Sequence, residues 1–138
     1  MNVKDIDIEA PLEGDMFENI FSRQIELMAE YHSIEHRNGL LLYPTVPIDL
    51  HDRKGQARIR ELIRRVIEEL MESSHTLKNS PWKQSHVLTD ADHFYEELSD
   101  AFHFFIELCI AVGMTAEDLY KIYFKKSEVN KFRQETRY

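Results

Sequence analysis

Residues 56–78, QARIRELIRRVIEELMESSHTLK, and residues 89–112, TDADHFYEELSDAFHFFIELCIAV, decide how this chain folds. In the first, Ile59, Leu62, Ile63, Val66, Ile67 and Leu70 recur at the spacings of one α-helical face. Leu98, Ala101, Phe102, Phe105, Ile106 and Cys109 do the same in the second. Each stretch also carries two acids three residues apart, Glu69 with Glu72 and Glu97 with Asp100. At about 100° per residue, Glu69 and Glu97 fall about 100° to the same side of their own apolar stripes. Glu72 and Asp100 follow one turn later, so two such helices packed together bring four carboxylates to one seam. Glu68 and Glu96 point further toward solvent.

That crowding is costly unless something offsets it. Two carboxylates about 5 Å apart at an effective dielectric of about 20 repel by about 3 kcal/mol. Protonation relieves this, and a hard divalent cation relieves it better, because Mg²⁺ prefers carboxylate oxygens and keeps waters free to bridge to phosphates. Acids spaced this way on one helix alone form an ordinary solvated face. The matched offsets on two helices favour the cation.

Working outward, residues 1–13 read as a short acidic arm. Asp15 and Glu18 open a first helix in capping-box spacing, with Phe17, Ile20, Phe21, Ile25, Met28 and Tyr31 on one side and Gly39 near its end. LLLYPTVPIDLHDRKGQ, 40–56, reads as an irregular crossing segment with a few extended residues at Leu40 to Tyr43. The second helix runs from about Gln56 to Lys78, where Asn79, Ser80 and Pro81 stop it. Thr89 is the expected cap of the third, with Asp92 at the box position, and Gly113 closes it. Thr115 and Asp118 then open a fourth helix carrying Leu119, Ile122, Tyr123 and Phe124 into a basic end. The fold expected is a single all-α domain over 1–138, a bundle of four or five helices, with 115–138 as a basic C-terminal helix and tail.

Composition limits the function classes. The chain is 43% hydrophobic and 30% charged, a globular balance, and no apolar run approaches the ~20 residues that span a bilayer. The net charge of −8 argues against nucleic acid, whose binding needs clustered Lys and Arg. A small anion remains compatible where a divalent cation and a local basic patch intervene. The acidic beginning lacks a secretory pattern, so a cytoplasmic location is expected. The single cysteine, Cys109, sits on an apolar face and reads as a small core residue.

ExxE, a spacer and ExxD on neighbouring helices resemble the all-α NTP pyrophosphatase superfamily, which includes the MazG-like pyrophosphohydrolases and the dimeric dUTPases. The ending KKSEVNKFRQETRY, 125–138, is similar to that family's closing KKxExNxFRQxxGY, with Arg137 standing where the family has Gly. The resemblance implies hydrolysis of a nucleoside triphosphate to the monophosphate and pyrophosphate, in control of nucleotide pools. It implies Mg²⁺, with Mn²⁺ as substitute, held by Glu69, Glu72, Glu97 and Asp100, and an attacking water oriented by Glu69 or Glu68. It also implies substrate contacts from Gln24 and Trp82, and from Lys126, Asn130, Arg133, Gln134 and Tyr138 in the tail. Lys125 is a weaker phosphate contact. Homodimers or dimers of dimers are implied as well, and compact members, common in bacteriophages, act on dUTP, dCTP or dGTP. Phe104, opposite part of the Phe102/Phe105 stripe, fits a face covered by a partner helix.

Two competing classes have their own signatures. A noncatalytic helical module would use the acidic face to dock a basic partner. A carboxylate-bridged di-iron bundle would pair Glu with His three residues on, and neither acidic motif has that histidine. His86, His93 and His103 lie near the second acidic motif in sequence, without the spacing of a zinc site.

Overall fold

The computed structural model describes residues 3–8, 10–11, 13–40 and 46–136. Among these residues there are four α-helices and no strand: α1 (Met16–Arg37), α2 (Arg53–His75), α3 (Ala91–Ala111) and α4 (Ala116–Glu135). Val3–Asp5 form a single 3₁₀ turn. The stretch expected to be extended, Leu40 to Tyr43, falls outside the described residues after Leu40.

Each helix begins at a side chain that satisfies an otherwise unpaired N–H. Asp15 accepts from the Glu18 N–H, Asp52 from the Gly55 N–H, and Asp90 from the His93 N–H. Thr115 and Asp118 form the reciprocal capping box expected of them. Two caps differ from the sequence reading. Asp90 replaces Thr89, because both can cap and the helix starts one residue later. α2 begins at Arg53 rather than near Gln56, because the Asp52 cap draws Lys54 and Gly55 into the first turn. It also ends at His75, before the Asn-Ser-Pro stop, with Thr76 as its cap, whose hydroxyl donates to the Ser73 carbonyl.

The principal packing is α2 against α3; α1 lies on α3, and α4 meets α1. One core cluster joins Phe21, Ile106, Cys109 and Ala116, and a second joins Met28, Ile48, Leu62 and Ala111. Leu62 and Ile106 are 1% and 0% exposed, and burials this complete each contribute about 1.5–3 kcal/mol. Cys109 is buried as expected, and burial pushes its thiol up.

The end of α3 is fastened tightly. Gly113 at φ +93° carries the chain out of the helix, its N–H donating to the Ile110 carbonyl and the Met114 N–H to the Cys109 carbonyl. The Ile48 N–H takes the Ala111 carbonyl at 2.7 Å. From this corner α4 leaves with its axis turned by 104° from that of α3.

Much of the apolar pattern expected to be buried is exposed within one chain. Ile63, Ile67 and Leu70 of α2, Leu98, Phe102 and Phe105 of α3, and Ile122, Tyr123 and Phe124 of α4 all lie open. Phe104 is half-buried, partly covered by its own chain, with the Arg65 guanidinium 5.9 Å from its ring centroid. No single helix is long and apolar enough to cross a membrane.

Candidate metal centre at the α2–α3 seam

α2 and α3 run antiparallel, so the C-terminal half of one faces the N-terminal half of the other. Glu69, Glu97 and Asp100 each place one carboxylate oxygen within 4.8 Å of the others. Glu97 keeps 14% of its side chain exposed, and its Oε2 is buried with no hydrogen-bond partner. Burial and the surrounding acids hold the Glu69 carboxyl above its ordinary range, Glu72, Asp100 and Glu97 adding to it in that order. Glu97 is raised by burial, then Asp100 and Glu72, while His93 pulls it back. Asp100, the most exposed of the three, is raised by partial burial and by Glu96 and Glu72, against His103 and His93. Glu72 is exposed and stands beside Glu69 and Glu97, adding its charge to both. An orphaned oxygen inside a ring of mutually raised carboxyls is the environment a divalent cation resolves, and the donors are the all-oxygen set that Mg²⁺ takes.

The other residues expected from the sequence are less gathered. Glu68 is exposed beside the seam. Gln24 is 4% exposed, on the side of α1 that buries Phe21 and Met28. Trp82 is 81% exposed in the 76–90 loop. Lys126, Asn130, Arg133 and Gln134 lie on the exposed half of α4, and Tyr138 falls outside the described residues. Asp100 and Lys126 are each thirteen residues from Gly113. At about 1.5 Å per residue and a 104° turn, they stand about 24 Å apart along their own chain, and Arg133 stands further still. Lys126 and Arg133 therefore do not reach the seam of their own chain.

Sequence reasoning named His93 and Glu96 near the seam but passed over His75, Lys78, Val87 and Leu88. A pocket of about 410 Å³ opens beside it, lined by Glu72 and Glu97, by His75, Lys78 and His93, and by the aliphatic Val87 and Leu88. The signal was present: His75 lies three residues after Glu72, and His93 four before Glu97, so each shares a helix face with an acid. His93 stands between two carboxylates, Nε2 3.6 Å from Glu97 and Nδ1 3.8 Å from Glu96. Glu96 Oε1 in turn accepts from the Val3 N–H at 2.9 Å, which ties the acidic arm to α3.

A second polar group lies further along the same two helices. Arg58, 5% exposed, pairs with Glu61 at 2.9 Å and with Glu35 of α1 at 3.5 Å; Arg65 reaches Glu61 at 2.7 Å. Glu107 of α3 is 2% exposed and leaves Oε2 unpartnered. Burial raises its carboxyl, Arg65 and Arg58 oppose that, and Glu35 and Glu61 reinforce it.

Residues 96–138 match the family model described as dUTPase. The matched segment is well short of half the chain; it contains Glu97, Asp100 and the whole C-terminal series, and it excludes Glu69 and Glu72. Over that segment the chain is similar to the all-α dUTPases, in line with its helical architecture. No curated protein and no solved structure matches the chain.

Proposed function

We propose that this protein is a divalent-metal-dependent nucleoside triphosphate pyrophosphohydrolase of the all-α dUTPase and MazG-like type. It cleaves a deoxynucleoside triphosphate to the monophosphate and pyrophosphate, and it serves nucleotide-pool control in the cytoplasm. The convergence of Glu69, Glu97 and Asp100 to within 4.8 Å carries this reading. The dUTPase match over 96–138, which includes two of the three, supports it. dUTP comes first among the substrates for the same reason, ahead of dCTP and dGTP.

Glu69, Glu97 and Asp100 hold Mg²⁺, or Mn²⁺ in its place, with Glu72 completing the set from the exposed side. The bound ion supplies Lewis-acid polarisation of a phosphoryl oxygen and lowers the pKa of water. The carboxylate of Glu69, or of Glu68 beside it, orients the attacking water. The tail supplies the opposite charge: Lys126 and Arg133 grip phosphate oxygens, a guanidinium fork doing so bidentately, while Asn130, Gln134 and Tyr138 close over the nucleotide. Because about 24 Å separates Lys126 from the seam of its own chain, a second protomer delivers these residues. The exposed aromatic face of α4 and the open stripes of α2 and α3 are the surfaces for that association. A homodimer is the minimum, and a dimer of dimers is compatible with it.

The test is release of pyrophosphate from a panel of nucleoside and deoxynucleoside triphosphates, with Mg²⁺, with Mn²⁺ and with chelator. Metal-dependent release from at least one of them is expected. No turnover of any nucleotide would return the acidic face to the role of a protein-docking surface.

A further inference from the structure

The pocket beside the seam has two unlike sides. Glu72 and Glu97 in its lining border the metal seat, whereas Val87 and Leu88 give the same pocket an aliphatic wall. Leu88 is 92% exposed and Val87 49%. This wall is held in place. The Asn79 amide donates to the Val87 carbonyl at 2.7 Å and its carbonyl oxygen accepts from the Val87 N–H at 2.8 Å. One side chain thus satisfies both backbone groups of a residue eight positions away, fixing the loop beside an apolar side chain that its own chain leaves uncovered.

We infer that Val87 and Leu88 are the wall against which the nucleobase lies, with Asn79 as the positioning residue. This rests on the nucleotide reading above. A triphosphate held at the carboxylates by a cation leaves the nucleoside as its uncharged end, and the adjoining space is where that end goes. The pocket, at about 410 Å³, falls within the roughly 300–1,000 Å³ usual for small-molecule sites. Lys78 also lines it, together with three carboxylates, Glu72, Asp90 and Glu97. With a divalent cation seated on Glu72 and Glu97 the lining comes close to neutral, which suits an uncharged aromatic ring better than a bare phosphate. Trp82 does not line it. The aliphatic pair therefore fills the role that composition alone would give to the loop's only tryptophan.

The experiment compares wild type, Leu88→Ala and Asn79→Ala, each full-length and with Mg²⁺, on whichever deoxynucleotide the wild type turns over best. Inorganic tripolyphosphate, which has the phosphates and no base, serves as a competitive inhibitor. Each variant is expected to raise KM about tenfold, about 1.4 kcal/mol, with kcat little changed and the tripolyphosphate inhibition constant unmoved. Asn79→Asp keeps the acceptor for the Val87 N–H and loses the donor to its carbonyl, so it is expected to fall between. An unchanged KM in Leu88→Ala overturns the inference. So does an inhibition constant that rises in step with KM, or a loss of helical content in Leu88→Ala, which would make Leu88 a structural residue. A wild type that hydrolyses no nucleotide removes the parent reading and this one together. An active wild type with an indifferent Leu88→Ala removes this one alone.

Discussion

Replacing Glu97 with Gln has opposite consequences for the metal-free and the metal-bound protein, and the structure sets their size. Carboxylates at 4.8 Å repel by about 3.5 kcal/mol at an effective dielectric of about 20. The cluster is shallow and Asp100 is exposed, so solvent screening reduces this to about 1 kcal/mol per pair. Glu97→Gln removes the repulsion with Glu69, Asp100 and Glu72, loses the opposing attraction of His93, and relieves about 1–2 kcal/mol once partial protonation of the raised carboxyls is allowed for. At about 3 °C per kcal/mol for a chain of this length, the chelator-treated variant should melt about 3–6 °C above wild type. Saturating Mg²⁺ reverses the order. Wild type gains about 2.7 kcal/mol at a hundredfold excess over its dissociation constant, and the variant gains little. Thermal melts followed by circular dichroism, in chelator and in millimolar Mg²⁺, measure both. A variant that melts below wild type in chelator, or that keeps the full Mg²⁺ shift, would refute the reasoning. Turnover should be abolished in the same variant.

Glu107→Gln tests the buried group further along the seam. A carboxyl raised in the fold adds stability that is complete below its unfolded pKa and is lost as pH rises through the folded one. The variant should therefore gain on wild type as pH climbs from 4 to 8 in urea titrations, and a gap that stays flat or shrinks counts against it. Gly113→Ala places a Cβ 3.0 Å from the Pro47 Cβ at φ +93°, and should cost about 1–2 kcal/mol in the same assay. Glu97→Gln and Arg133→Ala should each be inactive alone. If the tail acts on the partner's seam, co-expressing them should restore up to about a quarter of wild-type activity in mixed dimers. If each chain completes its own site, nothing returns.

The helices and the acidic seam were legible because each depends on a local period. Glu69 and Glu97 share an offset from their stripes, and antiparallel packing turns that angular match into a 4.8 Å cluster. Cap identity was less legible: Thr89 and Asp90 are both competent, and one residue of register decides between them. Gly55 beside Lys54 looks like loop composition, and only the Asp52 cap makes it helix. Placement of the tail was not legible, because the 104° turn at Gly113 is a tertiary angle that no periodicity encodes. The same holds for Leu98, Phe102 and Phe105, whose pattern says apolar face without saying whether the cover is the same chain or another. Glu107 went unmarked in the sequence, since both its burial and its closeness to Arg58 and Arg65 of α2 come from tertiary packing.

The most direct test of the central claim is anomalous diffraction from crystals soaked in Mn²⁺. The account predicts an anomalous peak between the carboxylates of Glu69, Glu97 and Asp100. Those three side chains turned apart into solvent, with no peak between them, would contradict it.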